Sequence, residues 1–162
     1  MNENLKAISI RQPWATLIVG YSHFSELWIP TNYRKDIENR DWKYIPSHRG
    51  QILIHAAKTY DLDGFYVALR ILRNLGYTGS EEFLYKETQI RGAYIGRVVL
   101  NDVVTDSPSP WFFGKLGFKL RNPKPIVPIY GKGQLGIFDS GLELHNTETI
   151  KKDPYEPKIL QG

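Results

Sequence analysis

Short apolar runs interrupted by glycine and proline dominate this sequence, and they limit the folds that it can adopt. The chain contains ten prolines and fourteen glycines. The predicted strands are residues 5–10, 51–57, 92–104, 118–120 and 134–138. Residues 92–104 are too continuously apolar for a regular alternation, so we predict a bulge at Gly96. The pattern is typical of a protein built from many short strands.

Helical patterns interrupt this series of strands. Pro13 suits the first position of a helix over residues 13–19, where its missing N–H costs nothing. Residues 61–75 carry apolar side chains at helical spacing and predict the longest helix. Residues 81–88 are compatible with a third helix, and residues 21–34 are predicted as a loop insertion. The combination predicts an α+β fold, a small β-barrel with α-helices packed at its openings.

The length and composition favour one globular domain. We expect this domain to span residues 1–140 of the 162, followed by a polar C-terminal tail over residues 141–162. The chain has no cysteine, which excludes disulfide scaffolds and thiolate metal sites. No secretory signal and no run of about 18 apolar residues is evident, so we predict a cytoplasmic protein without a membrane-spanning segment.

Residues 35–42, with the sequence Lys-Asp-Ile-Glu-Asn-Arg-Asp-Trp, form a polar motif that places cations, carboxylates, an amide and an indole within eight residues. If they form a strand, Glu38, Arg40 and Trp42 share one face. Lys35 would lie on the opposite face and could reach Glu38 only through a bend where the strand begins. A carboxylate, a guanidinium and an indole on one face could together bind a polar, planar ligand.

A second feature is the distribution of positive charge. The net charge of +4 is modest, but residues 107–140 contain five cations and a single carboxylate, Asp139. Such a segment is a candidate phosphate-binding surface, and Lys115 and Lys119 are the predicted phosphate contacts. The alternative is a solvated face without a ligand, which is common for scattered lysines.

Several unusual blocks of sequence follow one another in an order that resembles a known family. They are residues 7–18, 35–42, 49–50, 54–58, 92–98, 111–112, 117–118 and 131–138. Together they resemble the ASCH domain family over about residues 5–140. The resemblance implies a fold related to the PUA RNA-binding domain, a barrel of about five to six mostly antiparallel strands with flanking helices and a cleft. It also implies binding of RNA or of a modified nucleotide.

The same resemblance implies a second function, hydrolysis. Some small relatives remove an acyl group from acetylated cytidine with a lysine followed three residues later by a threonine nucleophile, and ribonuclease activity also occurs in the family. Here Lys35 is followed by Glu38, and a carboxylate is a poor nucleophile toward amides. Lys35 and Glu38 could still be a catalytic pair for general base catalysis in a partly dehydrated cleft. The alternative is a salt bridge that organises the loop.

The remaining candidate residues each have a structural alternative. Arg11 and Gln12 could contact a phosphate or a base edge, or cap the helix that follows them. Trp42 could stack on a base or pack in the core. His55 and Lys58 end the strand expected beside the polar motif and could border the cleft. His55 could equally be a hydrogen-bonded residue at the edge of the sheet.

Two functions therefore remain open from the sequence. The first is a nucleic-acid-binding module whose partner is RNA or another single-stranded nucleic acid or nucleotide. Its predicted contacts are Arg11, Gln12, Arg40, Trp42, His55, Lys58, Lys115 and Lys119. The second is a hydrolase acting on RNA or on an acylated nucleoside through Lys35 and Glu38. The four histidines lack the spacing of metal ligands, so we predict no metal and no cofactor.

Overall fold

The computed structural model describes residues 4–156 and shows an α+β fold. The strands are β1 Lys6–Ile10, β2 Tyr21–Ser22, β3 Leu27–Trp28, β4 Ile37–Arg40, β5 Gly50–Ala56, β6 Ala93–Val104, β7 Leu116–Tyr130 and β8 Ile137–Asp139. The α-helices are α1 Trp14–Val19, α2 Leu62–Asn74 and α3 Glu81–Glu87. Two short 3-10 helices cover Thr31–Tyr33 and Leu144–Asn146. The three helices predicted from the sequence are confirmed within one or two residues at each end.

Six strands form one mixed sheet in the order β4-β7-β6-β5-β1-β8. All its neighbouring pairs are antiparallel except β1 and β5, which run parallel. The sheet is curled, which brings edge strand β4 close to β1: the Arg40 guanidinium at the end of β4 donates a hydrogen bond of 3.0 Å to the Ser9 carbonyl in β1. The predicted fold class, a small barrel of mostly antiparallel strands with flanking helices, is confirmed.

Strand β7 corrects the expectation of short segments broken by prolines. It continues for 15 residues through Pro123, Pro125 and Pro128. The ladder with β6 is irregular here, and β4 pairs only with residues 116–119 of β7 in the part of the chain that is described. A proline lacks an N–H but is tolerated at bulges and on strand edges, where no neighbouring strand needs that donor.

Two further predictions concern the loop insertion over residues 21–34 and the bulge at Gly96 in β6. The insertion is not a featureless loop: β2 and β3 pair as a small antiparallel hairpin, followed by the 3-10 helix. The predicted irregularity at Gly96 is confirmed, because the register of β6 shifts there against both neighbours. A Cβ on Gly96 would lie 2.6 Å from a methyl carbon of Val19, so α1 packs directly on this backbone.

Helix α1 joins two apolar clusters and so fixes the elements that surround the candidate site. Ile18 belongs to the cluster inside the curled sheet, together with Ile10, Ile54 and Phe118. Leu17 belongs to a second cluster, which packs α1 against α2 and also includes Ile37, Phe65 and Trp111. Both faces of this short helix are therefore buried, which explains its stability despite only six residues.

Residues 141–156 pack along β7 and the insertion. Thr149 bridges to Ile126, and the Ile150 N–H donates to the Pro125 carbonyl at 2.8 Å. The Arg34 guanidinium donates two hydrogen bonds of 2.9 Å to the Asp153 carboxylate. The predicted division into a domain and a tail stays a prediction, and part of that tail lies outside the described residues. Between residues 4 and 156, no helix is long and apolar enough to cross a bilayer.

Candidate nucleic-acid interface

A cleft of about 960 Å³ opens where β1, β4, β5, α1 and the start of α2 meet the loop after β7. Its walls come from segments far apart in sequence. The lining residues are Ser9, Ile10, Arg11, Trp14, Lys35, Glu38, Asn39, Arg40, His55, Ala57, Lys58, Asp61, Asp63, Gly64, Val67, Phe113 and residues 131–136. Its volume is at the upper end of the range of about 300–1,000 Å³ that is usual for ligand sites.

A three-membered charge network forms one wall of this cleft. The Glu38 carboxylate lies 3.0 Å from the Lys35 ammonium through one oxygen and 3.0 Å from the Arg40 guanidinium through the other. Lys35 is only 3% exposed, and its ammonium also donates to the Ile37 carbonyl. Lys35 lies in the segment just before β4, where its N–H donates to the Leu17 carbonyl of α1 at 2.9 Å. From this position its side chain reaches Glu38, as the predicted bend requires.

The Lys35 ammonium is held close to its carboxylate in a place with little solvent. Burial lowers the pKa of Lys35 below its ordinary value, and the charge and hydrogen bond of Glu38 oppose that shift. The ammonium also lies 5.4 Å from the centre of the Trp14 ring. The cations Lys35 and Arg40 can therefore bind an anionic ligand that faces them, and the Lys35–Glu38 pair can hold a proton.

A serine and a histidine form a second polar group on the wall of the cleft. Ser9 and His55 are paired in register on the parallel strands β1 and β5, and Ser9 Oγ lies 2.9 Å from His55 Nδ1. The other ring nitrogen, Nε2, lies 2.8 Å from the Gly131 carbonyl. Because that carbonyl can only accept, we assign the proton to Nε2, so Nδ1 accepts from the Ser9 hydroxyl.

The glycine-rich loop after β7 covers this serine–histidine pair. A Cβ on Gly133 would lie 2.6 Å from His55 Nδ1 and 2.7 Å from Ser9 Oγ, closer than real side chains approach. Only glycine therefore allows the loop to approach so closely. The loop also carries Lys132 to the rim of the cleft.

The rim of the cleft is positively charged. Arg11, Lys58 and Lys132 are exposed and line the cleft. No carboxylate of residues 4–156 forms an ion pair with any of them. Two of the three lining carboxylates have partners, since Glu38 binds Lys35 and Arg40, and Asp61 accepts from the Trp14 indole and the Gly64 N–H. The cations at the rim are therefore available to an anionic ligand.

Two aromatic side chains stand beside these cations. Trp14 and Phe113 both line the cleft, with ring centres 6.3 Å apart and an interplanar angle of 60°. Phe113 is exposed, and the Trp14 indole N–H is held by Asp61 at 3.0 Å. A rigid indole and an exposed phenyl ring offer apolar surfaces for a planar group.

No protein-family model and no curated protein matches the sequence. The chain is similar to solved ASCH structures. An ASCH protein from Zymomonas mobilis is 18% identical with a TM-score of 0.40, over 78% of this chain and 73% of that chain.

Two variants of the Zymomonas mobilis ASCH protein give similar values. The variant with a tyrosine replaced by phenylalanine is 16% identical, over 79% of this chain and 76% of that chain, with a TM-score of 0.40. The variant with a serine replaced by alanine is 17% identical, over 80% and 75%, with the same TM-score of 0.40.

The cleft brings together six of the residues predicted to bind nucleic acid or to catalyse and places others elsewhere. Lys35, Glu38, Arg40, His55 and Lys58 line it. A sixth, Arg11, lies at its rim. These six residues come from three separate segments of the sequence, and Lys35, Glu38 and Arg40 are the ones that belong to the polar motif.

Gln12 and Trp42, also predicted as contacts, make internal interactions. Gln12 is 0% exposed, its carbonyl oxygen accepts from the Thr16 N–H at 2.9 Å, and its amide donates to Thr16 Oγ1 and the Ile90 carbonyl. The side-chain amide oxygen of Gln12 therefore satisfies one N–H in the first turn of α1, just before the N-cap residue Pro13. Trp42 packs edge-on against Phe118 with ring centres 5.3 Å apart and does not line the cleft.

The two lysines of the basic segment also lie outside the cleft lining. Lys119 is exposed on β7 opposite Ile37, and Lys115 is exposed in the turn that precedes β7. Their role in phosphate binding stays a prediction. In contrast, Ser9, Asp61 and Gly133 are cleft residues that sequence reasoning missed. Only the pairing of β1 with β5 brings Ser9 beside His55, and no local pattern signals that pairing.

Among residues 4–156, no three histidine, aspartate or glutamate side chains converge in a way that could hold a metal ion.

Proposed function

We propose that this protein is a nucleic-acid-binding module whose cleft holds one or two nucleotides of single-stranded RNA. The observation that carries the proposal is the set of rim cations Arg11, Lys58 and Lys132, which have no ion pair with the described carboxylates. Cations free of internal partners are what phosphate binding requires, because each one can replace a condensed counterion.

The arrangement supplies a separate group for each part of a nucleotide. Trp14 and Phe113 would stack on a base, which is the usual sequence-tolerant contact to single strands. Arg11, Lys58 and Lys132 would contact phosphates around the opening. A double helix cannot offer an unstacked base to a recessed pocket, so the proposal favours single strands over duplexes.

Binding of labelled RNA, measured by fluorescence anisotropy, tests this proposal. We expect Lys58→Gln combined with Lys132→Gln to weaken binding of a short single-stranded RNA by about tenfold, because two phosphate contacts are lost. Lys86→Gln is the matched control, since Lys86 is exposed on α3 and does not line the cleft. Equal affinity of the double variant and the wild type would remove the cleft from the proposal.

RNAs of different length, together with duplex RNA and single-stranded DNA, test which residues and which type of nucleic acid take part in binding. A short RNA that fills only the cleft should be insensitive to Lys119→Glu, whereas a longer RNA that continues along β7 should lose affinity. Insensitivity of both RNAs would remove Lys119 and the basic segment from the contact surface. Duplex RNA and single-stranded DNA of the same sequence are the two specificity controls.

A second candidate function is hydrolysis of RNA or of an acylated nucleoside. The observation that favours it is the Lys35–Glu38 pair, buried in the wall of the cleft with the pKa of Lys35 lowered by burial. We would then assign Lys35 and Glu38 to proton transfer between the substrate and water. The Ser9 hydroxyl, which donates to His55 Nδ1, is a further polar group in the wall of the cleft.

Turnover assays distinguish the two candidates. Labelled RNA and acetylcytidine are incubated with the wild type and with Glu38→Gln. The hydrolase candidate expects turnover by the wild type and its loss in Glu38→Gln with RNA binding retained. Absence of turnover by the wild type on both substrates would leave binding alone.

A further inference from the structure

A second, smaller cavity lies apart from the cleft. Its volume is about 310 Å³, and its walls come from the β2–β3 hairpin, the 3-10 helix Thr31–Tyr33, the end of α2 and helix α3. The lining residues are Leu17, Ser22, Leu27, Trp28, Ile29, Pro30, Tyr33, Leu72, Tyr77, Thr78, Gly79, Phe83, Leu84, Glu87 and Thr88. We call this cavity the aromatic pocket, and it shares no lining residue with the cleft.

Four aromatic side chains line this pocket: Trp28, Tyr33, Tyr77 and Phe83. The Tyr33 and Tyr77 rings meet edge to face, with centres 5.6 Å apart and an interplanar angle of 80°. The Trp28 indole is held by Tyr21, with ring centres 4.9 Å apart. Arg73 lies over the Tyr77 ring at 5.6 Å, so Trp28, Tyr33 and Phe83 are the rings left for another cation.

Glu87 is the single charged side chain in the described lining of the aromatic pocket. It is 8% exposed, and the Ser25 hydroxyl donates to one of its carboxylate oxygens. The Ser22 hydroxyl donates to its backbone carbonyl at 2.8 Å, which fixes the end of α3 beneath the hairpin. No lysine, arginine or histidine of residues 4–156 forms an ion pair with this carboxylate.

The position of Glu87 is unfavourable for a carboxylate that has no partner. A buried charge costs free energy unless an opposite charge or several hydrogen bonds compensate it. Glu87 is also the last residue of α3, where the helix presents carbonyl oxygens rather than N–H donors. Burial raises the pKa of Tyr77, nearby Arg73 opposes the shift, and the charge of Glu87 adds to it. Tyr77 and Glu87 both line the pocket.

Aromatic rings and a carboxylate together select one class of ligand. The faces of aromatic rings attract cations, and the attraction is strongest where water is excluded. A carboxylate at the same site adds a full opposite charge. The apolar remainder of the pocket, including Leu17, Ile29 and Leu72, suits alkyl groups rather than a hydrated metal ion.

We propose that the aromatic pocket binds a small organic ammonium ion, with its alkyl groups against Trp28, Tyr33 and Phe83 and its charge toward Glu87. The ligand is a free small molecule, because a volume of about 310 Å³ is at the low end for ligand sites. This site is independent of RNA binding in the cleft.

Titration calorimetry with choline and with 3,3-dimethylbutan-1-ol tests the proposal. The two compounds have the same shape, but only choline carries a charge. We expect choline to bind in the millimolar range or tighter, and the neutral alcohol to bind about tenfold more weakly, because the cation–π and charge attractions are absent. Equal binding of the two compounds, or no binding of choline, would overturn the proposal.

Variants locate the binding site. Glu87→Gln keeps the size of the side chain and its bond from Ser25, and should weaken choline binding about tenfold. Glu82→Gln is the matched control, since Glu82 is exposed on the same helix and does not line the pocket. Trp28→Leu should also weaken binding. Unchanged affinity in both Glu87→Gln and Trp28→Leu would place choline elsewhere and overturn the assignment.

A peptide containing trimethyllysine distinguishes a free ammonium ion from a protein side chain. We expect choline to bind at least as tightly as the peptide. Tighter binding of the peptide would overturn the small-molecule assignment. The double variant Lys58→Gln with Lys132→Gln changes the cleft and not the aromatic pocket. Its affinity for RNA therefore tests the proposed function, and its affinity for choline tests the aromatic pocket separately.

Discussion

Two buried glutamates, Glu38 in the cleft and Glu87 in the aromatic pocket, have the same 8% exposure and opposite electrostatic surroundings. Glu38 lies between Lys35 and Arg40, each 3.0 Å away. Glu87 accepts from Ser25 but has no ion pair with residues 4–156. The surplus charge of each cavity is therefore opposite: exposed cations remain at the cleft, and a carboxylate remains in the pocket.

This difference shows that burial of a charged residue does not by itself reveal its role. A paired carboxylate contributes to a rigid wall, and its removal leaves its partners without compensation. An unpaired carboxylate is a cost to the free protein, and a cationic ligand would offset it. Helix α1 contributes to both cavities, with Trp14 lining the cleft and Leu17 lining the pocket.

The largest expected effect is the loss of folding stability when Glu38 is removed, compared with substitution of Glu87. Glu38→Ala leaves the buried Lys35 ammonium without its carboxylate and should lower the free energy of unfolding by about 3 kcal/mol. Glu87→Gln should change it by less than about 1 kcal/mol, because no cation loses a partner. Urea unfolding of the two variants and the wild type measures both effects. Similar losses in the two variants would contradict the contrast between paired and unpaired carboxylates.

Salt should separate the ligands of the two cavities. If about three phosphates are neutralised, the logarithm of RNA affinity should fall with the logarithm of salt concentration with a slope of about −2. A fourfold rise in salt would then weaken RNA binding by about tenfold to twentyfold. Choline binding should change little, because its charge is held in a buried site. Equal slopes for the two ligands would show that the cavities do not differ in this way.

A side chain at Gly133 should affect the cleft alone. Gly133→Ala places a methyl group against His55 and Ser9, and we expect the free energy of unfolding to fall by about 1.5 kcal/mol through the forced shift of the loop. RNA affinity should fall as well, while choline binding is unchanged. Gly131→Ala is the control, because a Cβ there would have an ordinary contact of 3.6 Å with the Tyr94 ring. Equal effects of the two substitutions would exclude this steric explanation.

The smallest expected effect is a pH dependence from His23, in the turn that joins β2 to β3. Burial lowers the pKa of His23, although its hydrogen bond to the Ile126 carbonyl opposes the shift. The unfolded chain therefore binds a proton more readily, and the free energy of unfolding should decrease as the pH falls through and below 6.5. His23→Gln should reduce this decrease, as measured by urea unfolding at several pH values. An identical pH profile in the variant would exclude His23.

Much of the fold could be predicted from local patterns. The apolar spacing of residues 61–75 predicts α2, and the apolar runs predict β1, β5 and β6 with the irregularity at Gly96. Strand β7 could not be predicted in full, because tolerance of its prolines depends on which of its edges has a neighbour. Glu87 gives no signal in the sequence either, since its position in a helical pattern does not show what covers it.

By itself, the sequence determined the elements and the polar motif of residues 35–42, because periodicity and turn chemistry act between near neighbours. Only the tertiary structure decided that Ser9 meets His55, that the Gln12 side chain accepts from the first turn of α1, and that Glu38 has cations beside it while Glu87 has none. Those outcomes depend on strand pairing and on the packing of distant segments. The chemistry of a charged side chain is set by the groups that folding places beside it.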